Sequence, residues 1–248
     1  MNLLFISLGC DKNLVDTEVM LGLLASKGYE MTDDEQEADI IVINTCCFIH
    51  DAKEESVNTI LEMAEYKKTG TCKILIVTGC MAQRYKEEIT EEIPEVDAVL
   101  GTTSYGDIVK ALNEAEAGHV FQEFKDINAL PEDSGRRVIT TGGHFGYLKI
   151  AEGCDKHCTY CIIPSLRGKF RSVPEERLLK QAEYMASQGV RELILVAQET
   201  TVYGTDLYGK KTLHILLKKL CQIKGIRWIR VLYCYPEEIY DELIQVMK

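Results

Sequence analysis

The stretch Asp39-Ile40-Ile41-Val42-Ile43-Asn44 reads DIIVIN, an apolar run closed at each end by a polar residue. A strand with one wet face alternates apolar and polar residues. An unbroken run of this length reads instead as a strand buried on both faces, the kind that parallel sheets use. Two further segments fit the same template. Asn2–Leu8 leads into Gly9-Cys10, and Lys73–Thr78 (KILIVT) leads into Gly79-Cys80. Ala98–Gly101 is a shorter fourth strand. Helical spacing fills the intervals at Leu14–Lys27, Lys53–Tyr66, Met81–Glu92 and roughly Tyr105–Ala115. Strands that alternate with helices predict an α/β fold, here a doubly wound parallel-sheet domain over residues 1–124.

Residues 125–145 (KDINALPEDSGRRVITTGGHF) lose this periodicity and gather Pro, Asp, Ser and Gly, the composition of a linker. A short strand is expected inside them at Arg137–Thr140. Gly142-Gly143 opens no helix and is not a dinucleotide loop. From residue 146 the alternation resumes. Strands are expected at Tyr147–Ala151, Glu192–Ala197 and Trp228–Cys234, and helices at Pro174–Gln188, Leu213–Ile223 and Glu237–Met247. Three βα units are too few for an eight-fold barrel of about 250 residues. Residues 146–248 are therefore expected to be a partial (β/α) barrel, with the rest of the barrel absent.

With 248 residues and 46% hydrophobic content, the chain can bury a core in each of two domains. It has no apolar run of 18 residues, which argues against a membrane span. MNLLFISLGC is too short for a signal peptide and lacks a cleavage site, so the expected location is the cytoplasm. Ten cysteines in that compartment point to metal or redox chemistry more than to disulfides. The net charge of −11 is a poor match for nucleic acid and a better one for a basic protein, although solubility alone would also explain it.

Cys10, Cys46 and Cys80 each stand just past the carboxyl end of an expected parallel strand, the edge where open α/β sheets bind ligands. One such cysteine reads as a small buried hydrophobe, but three in equivalent positions read as a metal site. Gly9 and Gly79 allow the backbone to approach a bulky ligand. Cys47 should point away from Cys46. Cys72 lies at the opposite edge and Cys221 on a helix, so these three read as core or surface thiols. The second group is Cys154, Cys158 and Cys161 in GCDKHCTYC, spaced C-x3-C-x2-C directly after YLKIAEG. Three thiolates suit an iron–sulfur cluster with one open iron, or zinc if Cys234 closes the set.

CDKHCTYC, with an aromatic before its last cysteine, resembles the radical S-adenosylmethionine superfamily. In that superfamily the open iron chelates S-adenosylmethionine, and an electron from the cluster cleaves the sulfonium to a 5′-deoxyadenosyl radical. The words SLGCDKNLVD, VINTCCFI and VTGCMAQRY resemble the N-terminal domain of the methylthiotransferases. IAEGCDKHCTYCIIPSLRGKFRS and LVAQETTVYG resemble their radical domain. The resemblance implies two four-iron, four-sulfur clusters, one on Cys10, Cys46 and Cys80 and one on Cys154, Cys158 and Cys161, with S-adenosyl-L-methionine as cosubstrate. It implies an electron donor as a partner. A further C-terminal domain, absent from these residues, is one that could meet nucleic acid.

Asp11-Lys12-Asn13 after the first cysteine, with RVLYCYPEEI, resembles the branch that methylthiolates the β-carbon of an aspartate in small-subunit ribosomal protein S-twelve. The alternatives are the branch acting on a tRNA adenosine, and a non-enzymatic iron–sulfur electron carrier or zinc module. Gln198 and Glu199 end the second barrel strand and are expected to contact S-adenosylmethionine. Tyr160 is expected against the adenine or over the cluster, or packed in the core. Arg167, Lys169 and Arg171 form a basic stretch that could meet a carboxylate or simply be solvated. His50 and His157 read as solvated, as do the acidic runs. No residue is assigned as a general acid, base or nucleophile.

Overall fold

Ile40–Thr45 (β3) and Ile74–Gly79 (β4) are buried at every position, as strands covered on both faces must be. The computed structural model describes residues 1–131, 135 and 137–248. Its chain divides into two compact units: Met1–Val138 with Thr159–Arg167, and Ile139–Cys158 with Gly168–Lys248.

The first unit holds a six-stranded sheet, all of whose neighbours run parallel. Its strands are β1 (Asn2–Ser7), β2 (Glu30–Met31), β3, β4, β5 (Ala98–Leu100) and β6 (Phe121–Glu123), in the order β2-β1-β3-β4-β5-β6. Helices α1 (Asp11–Ala25), α2 (His50–Thr69), α3 (Cys80–Glu92) and α4 (Ile108–Glu116) connect them. The two-residue alternation of a strand divides the core. Ile41, Ile43, Leu75 and Val77 pack on one face with Ile60 and Met63 of α2 and Ile89 of α3. Ile40, Val42, Ile74 and Ile76 pack on the other face with Met20 and Leu24 of α1 and Ile108 and Leu112 of α4. This is the expected doubly wound sheet.

The second unit has a parallel three-stranded sheet in the order β11-β10-β7, formed by β7 (Phe145–Lys149), β10 (Glu192–Val196) and β11 (Trp228–Val231). A two-residue antiparallel pair joins β8 (Ala151–Glu152), which follows β7, with β9 (Arg171–Ser172). Helices α6 (Glu175–Ser187), α8 (Leu213–Leu220) and α9 (Asp241–Met247) follow the three main strands, giving the three expected βα units. Two short helices complete the set: α5 (Ile163–Arg167), which belongs to the first unit, and α7 (Thr205–Tyr208). Among the described residues no helix is long and apolar enough to cross a membrane.

Some local expectations fail for physical reasons. Residues 137–140 form no strand. Arg137 is buried, its Nε donating to Glu18 Oε2 at 2.7 Å, and the backbone N–H of Val138 donates to the Glu18 carbonyl. α1 begins three residues before Leu14, because its first turn buries the polar Lys12 and Asn13.

Candidate functional site

The first trio of cysteines sits on three adjacent strands of level length. Ser7 pairs with Asn44 and Asn44 with Thr78, so β1, β3 and β4 end side by side. Cys10 caps α1, Cys46 follows β3 directly, and Cys80 is the first residue of α3. The strand order reverses between β1 and β3, and at such a switch point the loops diverge and leave a crevice. Cys10 and Cys46 stand on its two sides.

Glycine keeps these turns tight. Gly9 has φ +87°, and a Cβ there would lie 2.6 Å from the Cys46 Cβ and 2.9 Å from its Sγ. Gly79 has φ +94°, and a Cβ there would lie 2.3 Å from Asn44 Oδ1 and 2.5 Å from the Thr45 carbonyl oxygen. Cys46 and Cys80 are buried, and burial pushes both thiols up. Each also feels the charge of Cys10, and Cys80 feels that of Cys46, so the three share one electrostatic neighbourhood. The Arg167 guanidinium opposes the upward push on Cys80. Among the described residues no three His, Cys, Asp or Glu side chains close on one point as the ligands of a single metal ion do. Three soft thiols at the mouth of a crevice suit a larger group, an iron–sulfur cluster.

Sequence reasoning missed what lies behind this trio. Arg167 was expected in a solvated stretch or against a substrate carboxylate. It is 3% exposed, and its Nη1 donates to Asp16 Oδ2 at 2.9 Å. The signal was present in DKNLVD, where Asn13 and Asp16 are three residues apart and so neighbours on one face of the helix that follows Cys10.

The second trio lies on the chain between β8 and α5. Here the backbone forms a neck. The Cys154 N–H donates to the Gly168 carbonyl at 3.1 Å, and the Phe170 N–H donates to Asp155 Oδ1 at 3.0 Å. Gly153 has φ +71°, and a Cβ there would lie 2.1 Å from the Lys169 carbonyl oxygen. The Lys156 N–H points at Cys154 Sγ from 3.4 Å, a donor suited to a thiolate. Lys156 Nζ bonds Glu238 Oε1 at 2.7 Å, and Lys211 Nζ reaches Glu238 Oε2 at 2.9 Å. These bonds hold Glu238 below the usual carboxylate range. Cys154, Cys158 and Cys161 are all partly exposed.

The remaining candidates separate. Gln198 follows β10, and its Oε1 is buried with no hydrogen-bond partner among the described residues, an acceptor awaiting a donor. Glu199 is buried, and its Oε1 accepts from the N–H of Thr201 at 3.1 Å and of Tyr235 at 3.3 Å. That oxygen therefore already ties the end of β10 to the chain after β11. Tyr160 is 83% exposed and does not pack in the core. His50 and His157 are exposed. Cys47 and Cys72 are buried thiols pushed up to about 11 by desolvation, and Cys221 is exposed. Cys234 lies 3.5 Å from Thr200 Oγ1.

Residues 2–101 match the family described as uncharacterized protein family UPF0004, and residues 148–248 match the radical SAM superfamily. A relative from Lachnoclostridium phytofermentans, called ribosomal protein uS12 methylthiotransferase RimO, is 67% identical over 248 residues. These are 100% of this chain and 56% of that protein. A relative of the same name from Clostridioides difficile is 54% identical over 242 residues, or 98% of this chain and 54% of that protein. The chain thus spans about half the length of the curated relatives it matches. Among solved structures, the cobalamin- and [4Fe-4S]-bound radical S-adenosylmethionine methyltransferase TsrM from Kitasatospora setae aligns with a TM-score of 0.60. It is 12% identical and covers 99% of this chain and 56% of that one, a likeness of fold.

Proposed function

Because the chain belongs to the radical S-adenosylmethionine methylthiotransferase family, we propose that its two cysteine trios each hold a four-iron, four-sulfur cluster, and that the protein methylthiolates the β-carbon of an aspartate in small-subunit ribosomal protein S-twelve. The observation that carries this reading is the level placement of Cys10, Cys46 and Cys80 on three neighbouring strand ends, in a chain that also carries C-x3-C-x2-C after a barrel strand. When bound, the clusters and S-adenosylmethionine supply an electron, open iron positions, a methyl group and a radical source.

The protein's own residues bind and orient. Cys154, Cys158 and Cys161 offer three thiolates from one loop, the Lys156 N–H stabilises the charge on Cys154, and the Lys156–Glu238–Lys211 bonds fix that loop's base. Gln198, whose Oε1 is buried without a hydrogen-bond partner among the described residues, would accept a hydrogen bond from S-adenosylmethionine, and Glu199 stiffens the adjoining turn. Tyr160, exposed beside Cys161, is available to cover the adenine or the cluster.

Anaerobic reconstitution tests the reading. The chain should take up about eight irons, and replacing either trio by Ala should halve that number. Loss of S-adenosylmethionine cleavage should follow only from Cys154, Cys158 and Cys161. Mass analysis of ribosomal protein S-twelve and of tRNA from cells lacking the gene identifies the substrate. An unmodified protein supports the proposal, and an unmodified nucleoside refutes it.

A further inference from the structure

The first unit keeps a layer of polar side chains behind Cys10, Cys46 and Cys80. Asn13 is wholly buried in the first turn of α1. Its Nδ2 donates to the Leu8 carbonyl at 3.1 Å and to the Thr45 carbonyl at 2.9 Å, in the turns that lead into Cys10 and Cys46. Its Oδ1 accepts from Arg167 Nη2 at 2.5 Å and faces Cys80 Sγ at 3.9 Å. Its backbone carbonyl accepts from Asn44 Nδ2 at 2.8 Å. One side chain therefore joins all three cysteine-bearing turns.

Arg167 brings the charge. It reaches this place from the end of α5, which Leu166 anchors in the core and through its carbonyl to Thr102 Oγ1 at 2.7 Å. Asp16 aims the guanidinium, which stays protonated at any working pH. A buried cation needs negative charge beside it. A cluster held by three thiolates supplies such charge, and its net charge grows more negative when it accepts an electron. Fixed charges and hydrogen bonds around the sulfurs are the levers by which a protein sets a cluster's potential.

We infer that Asn13 and Arg167 are positioning residues for the group on this trio: Asn13 holds the three cysteine turns together, and Arg167, aimed by Asp16, sets the potential at which that group is reduced. The inference rests on the reading that Cys10, Cys46 and Cys80 hold an iron–sulfur cluster.

The test uses the 248-residue chain with Cys154, Cys158 and Cys161 replaced by Ala, reconstituted anaerobically with iron and sulfide and titrated with dithionite under electron paramagnetic resonance. Arg167→Gln should lower the midpoint potential, Asp16→Asn should raise it, and Arg167→Lys should stay near the parent. Asn13→Ala should shorten cluster survival in a ferrous chelator by about 10- to 100-fold. Opposite shifts from opposite charges separate this role from simple support of the fold, which would cost cluster in both variants without ordering their potentials. Unmoved midpoints, or shifts of one sign, overturn the inference while leaving the cluster reading intact. A parent that takes up no iron overturns both. Should Arg167→Gln not fold by circular dichroism, Asp16→Asn decides alone, and an unmoved midpoint refutes the role.

Discussion

Gly79→Ala should be among the costliest single-methyl changes in the first unit. Gly79 ends β4 at φ +94° and ψ −157°, a combination almost confined to glycine, where a side chain costs about 1–3 kcal/mol. The added Cβ would also lie 2.5 Å from the carbonyl oxygen and 2.8 Å from the amide nitrogen of Thr45. These are backbone atoms of a strand paired on both sides, and they cannot swing aside. Forcing volume into such a place costs about 1–3 kcal/mol more. The sum is about 2–6 kcal/mol, a large share of the stability of a domain this size. Gly28→Ala is the matched control. Its φ is +88°, but a Cβ there meets nothing within 4 Å, so only the conformational part, about 1–2 kcal/mol, should appear. The assay is native-state amide exchange of β3 and β4 in the cluster-free chain, because the single tryptophan, Trp228, lies in the other unit. If Gly79→Ala loosens these amides no more than Gly28→Ala, the close approach of β4 to the Cys46 turn is not what fixes glycine there.

Removing one partner of the buried Glu18–Arg137 pair, as in Glu18→Leu, should cost about 3–5 kcal/mol by denaturant unfolding, whereas Glu18→Leu with Arg137→Met should cost clearly less. Glu238 is held below its ordinary value of 4.5, first by Lys156 and then by Lys211. Its contribution is therefore present above that value and lost as pH falls through the lowered one. A carboxyl-carbon titration by nuclear magnetic resonance should find a midpoint below 4.5 that moves up in Lys156→Met. In the cluster-free chain at pH 8, iodoacetamide should modify the exposed Cys221 long before Cys47 or Cys72. With thiols near 11, only about one in a thousand of the latter is thiolate at that pH.

Much of this molecule was legible because burial leaves a mark in sequence. The first four residues of β3 and of β4 form unbroken buried apolar runs, and Cys46 and Cys80 could be placed just past their ends from that alone. The parallel order of β1, β3 and β4 then set the trio in a row. What escaped notice lacks an apolar signature. β2 and β6 are two- and three-residue strands at the sheet margins with exposed or half-exposed positions. Arg137 and Arg167 read as loop charges because the carboxylates that bury them, Glu18 and Asp16, stand more than a hundred residues earlier. Pattern along the chain cannot pair such residues, since each looks solvated until the other is beside it. Gln198 falls after its strand as expected, but only the fold shows that its oxygen is buried with no hydrogen-bond partner among the described residues.

The membership of Thr159–Arg167 in the first unit bears on how the polypeptide matures. A ribosome that has released Val138 has not yet delivered everything that unit packs. Leu166 and Arg167 are still to come, 28 and 29 residues later, roughly 1–6 s at ordinary elongation rates. During that interval Asp16 waits without its arginine. A nascent chain stalled or cut after the sheet would therefore be an incomplete globule rather than a finished one.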